Sequence, residues 1–337
     1  MSIAASSAEL VRDLATRTAT AVRDWIPEAA VRGVEPLTGG TSSLTYVAEL
    51  SGVPAGYERV VLKVAPPGLA PVRNRDVLRQ ARLMRALAGR PGVRVPAVLF
   101  CDAGAPPFVA MELVPGQCVE PVLAPRGTVP ADRVRARAFD AVRMLAALHR
   151  VEPRDTSLAA EQVVPLAAEV DRWTRAFTTV PDDLRTGHET VADRLHATLP
   201  APVAPVITHG DYRLGNTLCE ADRVTALIDW EIWAPGDPRI DVTWLTFFTD
   251  EARHPASVSD EPTGMPGKAE LVEAYQEARG ERLRDLAWFE ALTKYKESAA
   301  TALLIKRARK TGRFTEMHRR MLPALPVLLD EALDLLA

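Results

Sequence analysis

The spacing of apolar positions changes character about a third of the way along the chain. Over residues 8–25, Leu10, Leu14, Ala21 and Trp25 fall on one face of a helix. Short strand-like runs follow, "LTYVAEL" at 44–50 and "RVVLKVA" at 59–65, reached through "LTGGTSS" at 37–43, a turn of Gly and hydroxyl residues. "RNRDVLRQARLMRALAG" predicts a helix over 73–89 closed by Gly89, and "PAVLFCDAG" and "PFVAMELVPG" predict two more strands. From about residue 120 the helical period takes over. Val134, Ala138, Ala141, Leu145 and Leu148 line one stripe of a long amphipathic helix, and helical patterns recur at 158–198, 268–312 and 315–336.

This pattern predicts an α+β chain in two parts, a small strand-rich lobe at 1–113 and a larger helical lobe at 114–337, hinged at "LVPG", 113–116. At 337 residues each part is long enough for its own core. The irregular stretch 250–267, "DEARHPASVSDEPTGMPG", is longer than most structureless loops and is a candidate lid.

Charge and cysteine narrow the class. Lys plus Arg number 41 against 44 Asp plus Glu, a net charge of −3, which removes the case for a dedicated nucleic-acid binder. Cys101, Cys118 and Cys219 lie far apart with no CxxC pair, as suits a reducing compartment. The opening residues are broken by Glu9, Arg12 and Asp13, and "MLPALPVLL" at 321–329 is too short to span a bilayer. The expectation is a soluble, cytoplasmic protein without a membrane or nucleic-acid partner; its oligomeric state is not readable.

The chemistry concentrates in "VITHGDYRLGNTLCEADRVTALIDWEIWAPGDPRIDV", residues 206–242. Phosphoryl transfer needs a base for the attacking hydroxyl, Mg²⁺ against the phosphates, and cations for the developing charge. Asp211 follows His209-Gly210 in a loop after an apolar strand. Asn216 comes five residues later, able to offer an amide oxygen to a metal, and Asp229 ends the next strand pair with a hard carboxylate.

"HGDYRLGN" and "IDWE" resemble the catalytic loop and metal segment of the aminoglycoside phosphotransferase and choline kinase-like family, whose fold is protein-kinase-like. The wider wording is similar to a subgroup that includes kinase domains fused to acyl-CoA dehydrogenases. The resemblance implies a two-lobed kinase-like fold with ATP and Mg²⁺ between the lobes, and transfer of the γ-phosphoryl group to a hydroxyl of a small molecule. It implies Asp211 as the catalytic base and Asn216 and Asp229 as metal ligands. Lys63, in "VVLKV", would steady the nucleotide phosphates. "LTGGTSSLTY" resembles the phosphate-covering loop, which assigns Gly39, Gly40, Thr41, Ser42 and Ser43 to the nucleotide, and "FVAMELVPG" resembles the adenine hinge, which adds Met111, Glu112 and Leu113.

One position departs from the kinase pattern. The glutamate that usually pairs with the nucleotide lysine is replaced by Gln80, with Asp76 one turn earlier as the other candidate partner of Lys63.

Plainer roles apply to the remaining chemistry. His209 reads as a brace of the loop, His149 as a packed core residue, and Asp241 as a helix cap that holds the loop, with Asp237 and Asp241 metal ligands only as a second choice. Trp230, Trp233, Trp244, Phe247 and Phe248 read mostly as core. "KRARKTGR", 306–313, is a solvated helix face or a dock for an anionic acceptor such as a coenzyme A thioester, whereas the lid acids Asp250, Glu251, Asp260 and Glu261 would suit a polycationic aminoglycoside. A hydroxyacyl-CoA kinase of the same fold and a nucleotide-binding pseudokinase acting as an interaction module are the alternatives. A metallophosphoesterase would need several His ligands, and of the six histidines only His209 lies near the acids.

Overall fold

In the computed structural model, residues 3–37, 44–70 and 72–337 are described. The expected phosphate-covering residues Gly39, Gly40, Thr41, Ser42 and Ser43 lie outside them. The chain divides into two compact units. The first takes in residues 1–116, 156–158 and 225–232, and the second the rest. The division therefore falls at 116/117 rather than 113/114, and Asp229 belongs to the first unit although it lies late in the sequence.

The first unit opens with helix α1 (Ile3–Trp25), followed by strands β1 (Ala30–Pro36), β2 (Leu44–Ser51) and β3 (Arg59–Val64). Helix α2 (Val77–Leu87) then precedes β4 (Val98–Asp102) and β5 (Phe108–Glu112). Among the described residues these strands form one antiparallel sheet in the order β1-β2-β3-β5-β4. Strand β1 was not legible in the sequence, because "AVRGVEP" carries a Gly, a Pro and two charges. Strand β3 lies centrally and is buried on both faces. Side chains alternate along a strand, so Val60, Leu62 and Val64 join the core packed by Leu14, Ala21 and Val22 of α1. Lys63 therefore emerges on the opposite face, where Ala65 and Val109 pack on Val77 and Ala81 of α2.

Helix α2 begins four residues later than its apolar period suggested. Arg73–Arg75 form a 3-10 turn, and Asp76 is the N-cap, its carboxylate accepting the N–H of Arg79 at 2.8 Å. Leu83 and Leu87 are buried as their spacing predicts.

The second unit is helical. Its helices are α3 (Ala131–Leu148), α4 (Leu166–Phe177) and α5 (His188–Ala197), then α6 (Arg239–Thr246), α7 (Lys268–Arg279), α8 (Leu286–Thr311) and α9 (Glu316–Leu335). All the stripe residues of α3 are buried. The patterns at 158–198 and 268–312 each break in two, the second at Gly280, whose positive φ of 74° ends α7. A core of Phe177, Leu195, Phe289, Tyr295 and Leu329 binds α4, α5, α8 and α9 together. The short strands β6 (Val206–Thr208), β7 (Thr217–Glu220) and β9 (Ala234–Gly236) belong to this unit, and β6 pairs antiparallel with β9; most of β8 (Arg223–Leu227) lies in the first unit. Among the described residues no helix is long and apolar enough to cross a membrane.

Residues 250–267 are tied down rather than loose, against the lid expectation. His254, Ala256, Thr263 and Met265 are buried. Arg126 donates to the Glu261 carbonyl at 2.7 Å and to Ser257 Oγ at 3.2 Å. Gly264 has φ +90°, and a Cβ there would stand 2.4 Å from the Ala131 carbonyl oxygen. Gly264→Ala is expected to cost on the order of 2–4 kcal/mol, from strain at positive φ plus that clash, read as a lower thermal midpoint.

Candidate functional site

The candidate residues fall into one set in each unit. In the first, Leu227 N–H donates to the Arg94 carbonyl at 2.8 Å and fixes the end of β8. Two residues on, Asp229 adopts φ +65°, a left-handed conformation that few side chains other than Asn and Asp accept. Lys63 Nζ meets Asp229 Oδ1 at 3.1 Å and Glu231 Oε1 at 3.3 Å. The lysine thus carries two carboxylates, both from the "IDWE" segment.

Gln80 is not its partner. The Gln80 amide donates to the Asn74 carbonyl at 3.3 Å, and the Asp76 carboxylate is occupied in capping α2. Both expectations for the Lys63 partner are corrected. The reason is the helix start: with the N-cap at 76, the 3-10 turn just before it presents a carbonyl that Gln80 satisfies. Glu231 is the residue that sequence reasoning missed, and its only signal was an acid two positions after Asp229.

Of the expected hinge residues, Met111 and Glu112 lie on β5 opposite Val61 and Val60. Glu112 Oε2 also accepts the N–H of Ala97 at 3.2 Å, which ties the start of β4 to β5. Leu113 follows the strand, half-buried.

In the second unit, β6 delivers the chain into the His209–Asn216 loop, and its pairing with β9 sets α6 beneath that loop. Asp241, in the first turn of α6 and 0% exposed, accepts the N–H of His209 at 2.7 Å on one oxygen and of Gly210 at 2.8 Å on the other. His149 Nε2 lies 3.2 Å from the first oxygen, and its Nδ1 lies 2.7 Å from the Tyr275 hydroxyl. Burial alone would push the Asp241 carboxyl up. The hydrogen bond and charge of His149, with those of His209, outweigh it and hold the group below the usual carboxylate range.

Asp241 holds the loop but does not cap the helix, because α6 starts after Pro238. Asp237 is engaged by Arg239 through both oxygens, at 2.9 and 2.7 Å. His149 is buried as expected, yet it is a hydrogen-bonded member of this chain of groups rather than packing alone. His209 braces the loop through Nδ1, which accepts the N–H of Asp211 at 3.2 Å.

Asp211 is half-buried and held from several sides. Trp244 Nε1 donates to Oδ1 at 2.6 Å, Arg213 Nε lies 3.3 Å from the same oxygen, and Asn216 Nδ2 donates to Oδ2 at 2.8 Å. Lys296, buried on α8, stacks 3.5 Å from the Trp244 ring centroid and donates to the Gly210 carbonyl. Burial would raise the Asp211 carboxyl. The charges of Arg213, Lys296 and His209 and the Asn216 bond outweigh it and keep the group low.

Asn216 spends its amide N–H groups on the Asp211 side chain and on the Asp211 carbonyl, also at 2.8 Å. Its amide oxygen has no hydrogen bond among the described residues. Arg213, Glu120, Trp244 and Lys296 were all missed as site residues. Trp244 was read as core, which it also is. For Lys296 the signal was a charged Lys296-Glu297 pair in the mostly buried first half of α8; Arg213 and Glu120 carried none.

The basic run is partly consumed by structure. Lys306 donates to the Thr179 carbonyl, and Arg309 meets Asp183 at 2.8 Å. Two of its cations therefore tie α8 to the turn after α4, which weakens the anion-dock reading.

A strand-rich unit carrying a lysine–carboxylate set, and a helical unit carrying a braced HGD loop, define the phosphotransferase class. Residues 33–292 match the model of the phosphotransferase enzyme family, and the chain belongs to that family. A proposed aminoglycoside phosphotransferase from Ralstonia eutropha superposes with a TM-score of 0.73 at 21% identity, over 94% of this chain and 98% of that one. A ternary complex of aminoglycoside phosphotransferase APH(4)-Ia with AMP-PNP and hygromycin B gives 0.61 at 14% identity, over 94% and 99%. Among curated proteins, acyl-CoA dehydrogenase family member 10 of Mus musculus is 29% identical over 214 residues. That match takes 61% of this chain but only 19% of the mouse protein.

Proposed function

We propose that the chain transfers the γ-phosphoryl group of ATP, with Mg²⁺, to a hydroxyl of a small molecule. The observation that carries this reading is the Asp211 carboxylate, fixed by Trp244, Arg213 and Asn216 while the loop beneath it is locked by Asp241. A carboxylate kept below its usual range is a weak base. Its contribution is therefore to accept a hydrogen bond from the attacking hydroxyl and align it, which suits a loose transition state in which bond-making to the nucleophile is little advanced. The donors fit a hard divalent cation. Asn216 has turned its N–H groups away and left its oxygen. Asp229, in the first unit, is by itself a hard carboxylate of the kind Mg²⁺ prefers. Among the described residues no cluster of three His, Cys, Asp or Glu forms a metal cage. Mg²⁺ needs none, since it takes one or two carboxylates and completes its shell with phosphates and water. Bound Mg²⁺ would neutralise phosphate charge. Lys63 supplies a fixed cation for the nucleotide, and Asp229 and Glu231 hold that cation in place.

The AMP-PNP complex of one structural neighbour and the GDP complex of another support a nucleotide as the phosphoryl donor. The match to an acyl-CoA dehydrogenase family member favours, as a second reading, a hydroxyacyl-CoA ester as acceptor. ADP release measured against aminoglycosides, macrolides, choline, simple sugars and hydroxyacyl-CoA esters tests both, and the expected result is acceptor-dependent release with one class.

For the nucleotide half, Lys63→Ala is expected to weaken binding of a non-hydrolysable ATP analogue by roughly tenfold or more, the worth of a charged hydrogen bond. Glu231→Gln should have a smaller effect in the same direction, because it loosens the lysine without removing it. Gln80→Ala should stay within about twofold, since its amide serves only the turn before α2. Calorimetric titration checks the order. A loss for Gln80→Ala as large as that for Lys63→Ala would restore Gln80 as a nucleotide residue.

A further inference from the structure

The Glu120 carboxylate is buried, yet only one of its oxygens is used. Oε2 accepts the N–H of Gly215 at 2.9 Å and lies 3.5 Å from Arg213 Nη1. Oε1 is buried with no hydrogen-bond partner among the described residues. Burying a charge this way is costly, and burial indeed pushes the Glu120 carboxyl up to about 7 against the pull of Arg213 and Gly215. A residue kept only for stability would serve better as Gln or as an apolar side chain.

The surroundings are built tightly around this contact. A Cβ at residue 215 would fall 2.0 Å from Arg213 Nη1 and 3.0 Å from Glu120 Cβ, so only glycine permits the approach. The Arg213 guanidinium also lies over the Phe248 ring, 5.3 Å from its centroid. Arg213 reaches Asp211 through Nε alone, at 3.3 Å, and not through the two-pronged pairing that Arg and a carboxylate favour.

We infer that Glu120 is a positioning residue for phosphoryl transfer. It draws the Arg213 guanidinium away from a full ion pair with Asp211, and through Gly215 it sets the turn that presents Asn216. With Glu120 in place, Asp211 Oδ2 accepts only from Asn216 among the described residues and keeps a lone pair for the acceptor hydroxyl. Without that charge, Arg213 closes on Asp211 and occupies it. This rests on the reading of Asp211 as the residue that aligns the acceptor.

The test uses the full chain at pH 8 with Mg-ATP and water as acceptor, ADP release being the readout, with wild type and Asp211→Asn as controls. Glu120→Gln can still accept the Gly215 N–H, so it isolates the charge. It should lower kcat by ~10-fold, a fraction of what a positioned base contributes, with KM for Mg-ATP within about twofold. Its thermal midpoint should match or exceed the wild type, because a poorly partnered buried charge has gone. In an Arg213→Gln background the same change should add little, since the two residues act through one contact. Glu120→Gln with wild-type kcat overturns the proposal. So does a loss of kcat that appears only with a fall of several degrees in midpoint, or that multiplies independently with Arg213→Gln. A wild type that releases no ADP with water or with any acceptor of the panel above, or an Asp211→Asn as active as wild type, overturns the parent reading instead and takes this one with it.

Discussion

Asp211→Asn is expected to lower turnover by ~10²–10⁴-fold, the usual contribution of a positioned acid–base group, while leaving nucleotide affinity unchanged. The geometry sets both halves of that expectation. Asp211 accepts from Trp244 and Arg213 on one oxygen and from Asn216 on the other. An amide can offer only one acceptor oxygen, so one edge would then face a donor with a donor. The carboxylate charge that attracts the acceptor hydroxyl is also lost. Lys63 and its carboxylates are untouched, because they hang on β3 and the segment after β8. Single-turnover ADP formation, paired with titration of a non-hydrolysable analogue, separates the two effects. An Asp211→Asn chain that loses nucleotide affinity but keeps its chemical rate would reverse the roles given to Asp211 and Asp229.

The largest loss of stability is expected from Asp241→Ala. This substitution strands the N–H groups of His209 and Gly210 in a fully buried place and removes the partner of His149. Breaking a buried, paired carboxylate costs about 3–5 kcal/mol, and stranded backbone donors fall within the same range. Asp241→Asn should recover only part of this, since its NH₂ faces a donor. Denaturant unfolding gives the difference directly, and a cost below about 1 kcal/mol would show that the loop holds itself. The sign with pH also follows. The Asp241 carboxyl is depressed in the folded chain, so its contribution is fully present above the ordinary carboxylate range and is lost as pH falls through the folded value. The wild type and Asp241→Ala should therefore converge in stability on strong acidification.

Turnover should collapse in Asp241→Ala as well, even where the chain remains folded, because His209 and Gly210 immediately precede Asp211.

What the sequence determined by itself is local. Its periods place α1, α3 and most of the sheet, because a buried stripe at 3.6 residues or an alternation at 2 is written into neighbouring positions. The HGD loop with Asn216 is local too, Asn216 following Asp211 by five positions, so "HGDYRLGN" pointed to Asp211 and Asn216 together. The tertiary structure decided what depends on distant residues. Lys63 and Glu231 are far apart in sequence, and the lysine's partner followed from which segment returned to β3, not from the pattern of α2. Gln80 looked inward and is buried, but a helix face tells only that a side chain points into the unit, not which polar group it meets there. Trp244, Lys296 and Glu120 are in the same position. Each is a buried polar or aromatic group whose use is fixed by one hydrogen bond or one ring contact across the fold. Burial leaves a polar atom no water to fall back on, so its partner is set by three-dimensional packing, and no spacing along the chain records it.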